Sequence, residues 1–394
     1  MTETRVRFLD LQAQYGELRS EIQRAVEAVF SSQAFVLGPA VADFESALGR
    51  YLGGVHVVGV ASGTDALYLA LRASSIGPGD AVLTTPYSFA ASATQIARTG
   101  ARPYFVDIEP DSFNLDPRLA ARFLAEECRR DGAVLRAPGG EAVRAILPVH
   151  LFGRPCAIDE LSALARTHGL VVIEDAAQAI GARVGGTGAY AGTVGRFGCF
   201  SFYPTKNLGG AGDGGCVVTR DAGDADQVRS LARHGAEGGP YRHVALGLAS
   251  RLDALQAAVL GVKLGRIDAW NAARRSHAER YDHLLTRAFG SAGAVGAPAI
   301  APGHVFHQYV VRVRDRDRVR AALAADGIET QVYYPIPLHL QPCFAAYGHR
   351  PGDRPEAERA SVESLALPIY PELDDAAARL VIERLALAVG EPGA

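Results

Sequence analysis

"LVVIEDAAQAI", residues 170–180, is a short β-branched run that closes on two adjacent carboxylates. Its first four residues suit a strand buried on both faces. Asp175 then falls at the carboxyl end of that strand, where open α/β sheets bind their ligands. A carboxylate there is costly unless it meets a cation. A protonated pyridine nitrogen is one such partner, and keeping it protonated makes the ring an electron sink, as in pyridoxal phosphate. Taken alone, Asp175 reads equally well as a cap on the following helix.

Working outward, similar runs recur: "HVVGVAS" (56–62), "AVLTTP" (81–86), "RPYFVD" (102–107), "VRAILPVH" (143–150), "CFSFYP" (199–204) and "GGCVVT" (214–219). Helical patterns lie between them. "TDALYLALRA" sets Leu67, Ala70 and Leu71 on one side, and "AIDELSALARTHG" groups Leu161, Leu164 and Ala165 before stopping at Gly169. This alternation predicts an α/β fold with a mostly parallel seven-stranded sheet flanked by helices. From Ser250 a long helical region runs with almost no breaker apart from Gly261 and Gly265. A strand "HQYVVRV", a helix "DRVRAALAAD" and a proline-studded loop "YYPIPLHLQPCF" follow. We therefore expect a large α/β domain over residues 1–264 and a smaller α+β domain over 265–394, with the final "GEPGA" frayed.

Lys206 sits in "FSFYPTKNLGGAGDGG" (200–215), between an aromatic strand and a glycine-rich stretch. A lysine that bonds an aldehyde must lose its proton near neutral pH, and burial helps it do so. The glycines let the backbone turn tightly around a flat ring. "VASGTDAL" places Ser62, Gly63 and Thr64 where a strand meets a helix. The free N–H groups and dipole of a helix N-terminus make a phosphate site there. The same three residues also read as a plain N-cap. Phe89 can stack on a ring or fill the core, and Ser201 can hold phosphate or satisfy a strand edge.

Composition narrows the field. The chain has 394 residues, 48% hydrophobic and 21% charged, with net charge −3, an ordinary globular balance without the basic excess of a nucleic-acid binder. Its opening residues carry no secretory pattern, and no apolar run is long enough for a membrane span. Five scattered cysteines, never in a C-x-x-C pair, suit a reducing cytoplasm. His304 and His307 stand three apart with no Cys or acidic group nearby, so no metal is expected. No G-x-G-x-x-G follows the first strand, which removes the nicotinamide reading.

Taken in order, "SGTDAL", "VIEDAAQ", "SFYPTKNLGGAGDGG", "SRLDALQAA" and "YYPIPLHLQ" resemble the DegT/DnrJ/StrS family of pyridoxal-phosphate-dependent nucleotide-sugar aminotransferases. The likeness runs from about residue 6 to residue 385. It implies the aspartate aminotransferase fold (fold type I), a homodimer, and catalysis by Lys206 and Asp175. In that likeness Lys206 bonds the cofactor and shuttles a proton, and Asp175 pairs with the ring nitrogen. Gln178 meets the ring's 3-oxygen and Phe89 stacks on the ring, while Ser62, Gly63, Thr64 and Ser201 lie at the phosphate. It further implies L-glutamate as donor and a nucleotide-linked keto sugar, a dTDP-keto-6-deoxyhexose aminated at C3, with C4 as the alternative. His339, Arg233 or His234 would meet the diphosphate, or else lie on the surface. Many relatives carry asparagine before the "SRLD" motif, reaching a neighbouring subunit's phosphate; Ala249 stands there instead. Relatives that dehydrate sugars replace the lysine with histidine, and Lys206 speaks against that. A regulatory protein that keeps the fold without turnover is the reading from a different class.

Overall fold

The computed structural model describes residues 5–390 apart from 240, 291 and 292. The expected fraying of the last residues therefore falls, from 391 on, outside the described residues. In chain order the strands of the main sheet are β1 (His56–Val60), β2 (Asp80–Thr84), β3 (Arg102–Phe105), β4 (Arg129–Asp131), β5 (Val134–Arg136), β6 (Ala142–Leu147), β7 (Val171–Asp175), β8 (Phe197–Ser201) and β9 (Gly215–Thr219). Seven of them lie in the spatial order β1-β9-β8-β7-β6-β2-β3, and the small hairpin β4-β5 hangs from β6. Neighbours from β8 through β3 are parallel, and β9 runs antiparallel to both β1 and β8. This is the mostly parallel seven-stranded sheet read from the sequence, with a short hairpin that the reading passed over.

The helices are α1 (Leu11–Ser32), α2 (Pro39–Tyr51), α3 (Gly63–Ala73), α4 (Ala91–Arg98), α5 (Pro117–Arg122), α6 (Ile158–His168), α7 (Ala222–Ala232), α8 (Ala254–Leu264) and α9 (Ile267–Phe289). Successive strand residues point to opposite faces, and both faces are buried. Val57, Phe200 and Cys216 pack with Leu18, Phe44 and Leu260 of α1, α2 and α8. Val58, Cys199 and Val217 pack with Leu67, Leu71 and Val228 of α3 and α7. That double coverage is why the strands read as continuous apolar runs rather than alternating ones.

The helical region expected from Ser250 is made of two helices, α8 and α9. Asp253 caps the first through the Gln256 N–H, and the chain turns at Gly265–Arg266, whose Arg266 N–H bonds the Lys263 carbonyl at 2.9 Å. Beyond α9 lies a second, antiparallel sheet, β10 (Val295–Gly296), β11 (Tyr309–Val313) and β12 (Ser364–Leu367). Helices α10 (Arg316–Ala325), α11 (Pro355–Glu363) and α12 (Asp375–Gly390) complete this part. Its core joins Tyr281, Tyr309, Val311, Leu365 and Leu385, and takes in Val6, which bridges Ile328.

Candidate active site

A cavity of about 480 Å³ opens beyond the carboxyl ends of β1, β2, β6, β7 and β8. Ser62, Gly63, Thr64, Phe89, Asp175, Gln178, Ser201 and Lys206 all line it. The sheet converges them: each lies at a strand end or within a few residues of one. A wider groove of about 770 Å³ lies against α1, α2 and α8, lined by alanines with Ser32, Ser46, Asp43 and Arg50, and it holds none of the candidate residues.

Asp175 is buried, with 5% of its surface exposed. Ser92 Oγ donates to its Oδ2 at 2.7 Å and the Ala177 N–H donates to Oδ1 at 3.1 Å. Ser88 Oγ lies 2.9 Å from Ser92 Oγ and extends this chain of hydroxyls to the cavity. Burial pushes the carboxyl above its ordinary range, and the two hydrogen bonds and the Lys206 charge pull against it. Among the described residues no side-chain cation approaches Asp175 within ion-pair distance. The carboxylate therefore lacks the cationic partner that burial calls for.

Lys206 follows β8 in a turn closed by its own N–H on the Tyr203 carbonyl at 2.8 Å. Its ammonium has no hydrogen-bond partner among the described residues. Burial lowers its pKa to about 8, against the opposing pull of Asp175. An amine so placed is a ready nucleophile near neutral pH.

At the other end of the cavity Ser62 caps α3, its Oγ accepting the Asp65 N–H at 3.1 Å. The N–H groups of Gly63 and Thr64, in the first turn, have no backbone partner, as helix geometry requires. A Cβ on Gly63 would lie 2.7 Å from Ser201 Cβ, and one on Gly215 would lie 2.6 Å from the Gly63 nitrogen. The glycine-rich stretch after Lys206 thus works differently from expectation. None of its glycines adopts a positive φ. They are small because neighbours crowd them: a Cβ on Gly209 would sit 2.2 Å from the Pro204 carbonyl oxygen.

Further contacts complete the site, some from residues the sequence singles out and some from residues it does not. Gln178 accepts the Phe152 N–H at 2.6 Å and donates to the Tyr334 hydroxyl at 3.1 Å, leaving one amide N–H free. Tyr333, Tyr334, His307 and Gln308 close the cavity from the C-terminal part. The ring of Phe89 stands at the mouth, 59% exposed and 6.5 Å from the Tyr334 ring. Ser92 gives no signal because only folding brings α4 against β7.

Other candidates lie elsewhere. His339 is buried and bonds Glu358 at 3.0 Å, so it is neither a surface residue nor a wall of the cavity. Arg233 and His234 are exposed, outside the cavity. Ala249 is exposed too, whereas the adjacent Ser250 accepts the Ala61 N–H at 3.1 Å and holds the end of β1. His304 bonds the Phe152 carbonyl and His307 bonds Asn207, and no group of three or more metal-type ligands clusters among the described residues. No described helix is long and apolar enough to cross a membrane.

A family model described as the DegT/DnrJ/EryC1/StrS aminotransferase family matches residues 17–386. The chain is 44% identical to a pleiotropic regulatory protein of Geobacillus stearothermophilus over 97% of its length and 98% of the relative's. It is 42% identical to a dTDP-3-amino-3,4,6-trideoxy-alpha-D-glucose transaminase of Streptomyces venezuelae, covering 96% of this chain and 95% of that one. The crystal structure of S. venezuelae DesV in complex with a ketimine intermediate superposes with a TM-score of 0.90 at 40% identity, over 99% of this chain and 100% of that chain.

Proposed function

The chain belongs to the DegT/DnrJ/EryC1/StrS aminotransferase family, and on that premise we propose that it moves the amino group of L-glutamate onto C3 of a dTDP-linked keto-6-deoxyhexose. It is a transaminase whose cofactor is pyridoxal phosphate. When bound, that cofactor supplies the electron sink that makes a carbon–hydrogen bond next to nitrogen acidic. The observation that carries the reading is one cavity with a buried, unpaired carboxylate and an unpaired lysine at neighbouring strand ends.

In this reading Lys206 Nζ takes the proton from the donor's α-carbon and returns one to the sugar carbon in the second half of the cycle. A pKa lowered to about 8 keeps a working share of that amine unprotonated. Asp175, oriented by Ser92 and the Ala177 N–H, faces the ring nitrogen and keeps it protonated. The N–H groups at Gly63 and Thr64, with the hydroxyls of Ser62, Thr64 and Ser201, hold the phosphate. Gln178 would offer its free N–H to the ring's 3-oxygen, and Phe89 would cover the ring at the mouth.

The sugar assignment draws on the transaminase relative of S. venezuelae, whose name specifies a 3-amino product and a dTDP carrier. A regulatory role without turnover is the second reading, favoured by the name of the Geobacillus relative. We place the large unit at 1–264 and the small one from 265. The position where α8 ends and α9 begins supports that division. A homodimer fits the exposed apolar side chains of Val36, Leu37, Tyr241 and Leu246, and the five free cysteines fit a cytoplasmic enzyme.

The test is the visible absorbance of the protein loaded with pyridoxal phosphate, before and after L-glutamate alone. Bleaching of the lysine-linked band supports transamination, and a band unchanged by glutamate favours the regulatory reading. Product nuclear magnetic resonance with 3-keto and 4-keto dTDP sugars then separates C3 from C4.

A further inference from the structure

Gln178 stands in a chain of hydrogen bonds that runs from main chain to open cavity. Its Oε1 accepts the Phe152 N–H at 2.6 Å, in a segment where Phe152 is itself buried. A main-chain N–H only donates, so the amide cannot be turned the other way. Nε2 therefore faces the Tyr334 hydroxyl, 3.1 Å away, and must donate to it. Tyr334 Oη is the acceptor in that bond, and its own proton is left over.

Among the described residues that proton has no acceptor, and Tyr334 lines the cavity that holds Asp175 and Lys206. Both ends of the residue are held. Tyr87 Oη accepts the Tyr334 N–H at 3.0 Å, and Gln178 fixes the hydroxyl. The ring lies among those of Tyr333, Tyr87 and Phe89, with centroids 5.5, 6.1 and 6.5 Å away. Burial pushes the phenol pKa well above its ordinary value, so the hydroxyl stays a donor throughout the neutral range.

If Gln178 gives its other N–H to the ring's 3-oxygen, that oxygen cannot take the Tyr334 proton. The two N–H bonds of one amide diverge by about 120°, so acceptors about 3 Å from the nitrogen lie about 5 Å apart. The hydroxyl then has only the open cavity to donate into, where the substrate binds. We propose that Tyr334 is a substrate-binding residue, its hydroxyl donating to an oxygen on the carbon beside the reacting carbon. L-glutamate and 2-oxoglutarate carry a carboxylate there, and a keto sugar carries a hydroxyl. The two substrates occupy the cavity in turn, so one donor serves whichever is bound. This deepens the proposed function and rests on it.

The test uses the full Lys206→Ala chain loaded with pyridoxamine phosphate, which binds keto substrates without turnover. Calorimetry with 2-oxoglutarate and with the dTDP keto sugar compares this chain with the same chain carrying Tyr334→Phe. Affinity for at least one ligand is expected to fall about tenfold in the Phe variant, and the ligand that loses affinity identifies the source of the oxygen. The loss should vanish with an analogue that lacks the oxygen: 4-oxobutanoate in place of 2-oxoglutarate, or sugars without the C2 or the C4 hydroxyl. Affinities unmoved by the Phe change, or lowered equally for the analogues, overturn the proposal. Faster loss of pyridoxamine phosphate on dialysis also overturns it, since the hydroxyl would then serve the cofactor. Crystal structures with Tyr334 intact and either ligand bound cover the case where the Phe variant does not fold. An oxygen on the neighbouring carbon should lie within about 3.2 Å of Tyr334 Oη, and its absence from both complexes refutes the contact. If glutamate fails to bleach the lysine-linked band of the unaltered protein, the substrate reading falls. If it bleaches the band and the Phe change moves nothing, only the role of Tyr334 falls.

Discussion

The cavity has two walls built in different ways. One is the sheet wall, where Asp175 and Ser201 end their strands and Ser62 lies two residues beyond one. Hydrogen bonds between the strands, parallel at β7–β8 and antiparallel at β1–β9 and β8–β9, and the first turn of α3 fix their backbones. The facing wall, His307, Gln308, Tyr333 and Tyr334, comes from connecting segments of the C-terminal part. There the Tyr333–Tyr334 segment is held by a buried hydroxyl: Tyr87 Oη receives the Tyr334 N–H at 3.0 Å and lies 2.8 Å from Ser364 Oγ and 3.2 Å from the Ala360 carbonyl. The difference suggests a division of labour. Chemistry shared across a family suits the rigid wall, and discrimination between substrates suits the wall that loops can reshape.

That division can be broken most directly at Lys206. Lys206→Ala should abolish the lysine-linked absorbance and lower turnover at least about 1000-fold, with the fold retained by circular dichroism. Turnover near the unaltered level would remove the sheet wall from the chemistry. Asp175→Asn comes next. It keeps the shape and removes the charge, and single-turnover rates with L-glutamate should fall by about 100-fold, with weaker cofactor retention on dialysis. A smaller effect follows from pH. With a pKa of about 8, Lys206 is mostly protonated below that value. Capture of pyridoxal phosphate by the apo chain should then speed up about tenfold per pH unit up to pH 8 and level off above it. Stopped-flow absorbance reads this directly, and a flat profile through pH 8 contradicts the assignment. Smallest on chemistry is Tyr87→Phe, which acts on the loop wall. Urea unfolding should show a loss of about 1–3 kcal/mol, and KM for the keto sugar should rise while capture of the cofactor is unchanged. A change in capture would mean that the two walls are not independent.

The same division decides what could be read before folding. Strand ends and helix starts are local patterns, so the sheet, Asp175, Lys206 and the Ser62–Thr64 turn were all visible as short motifs. Ser92, Tyr87 and His307 were not, because each acquires its role from a partner far away in sequence: Asp175, Tyr334 and Asn207. His339 was misplaced for the same reason, since its partner Glu358 lies on α11. Gly265 marked the place where α8 gives way to α9, though a single glycine in a helical pattern is compatible with either continuation or a turn. The glycines near Lys206 were recognised as meaningful for the wrong reason. Composition alone does not distinguish a residue that must bend from one that must be thin.

Thinness has an implication for how this scaffold can be remodelled. Where β1, β8 and β9 meet, a Cβ on Gly63 would press on Ser201 and one on Gly215 would press on the Ser62–Gly63 main chain. Stepwise enlargement at either glycine is therefore blocked at its first step. Libraries aimed at new sugars would be best confined to the loop wall, with the three-strand junction left as an invariant socket.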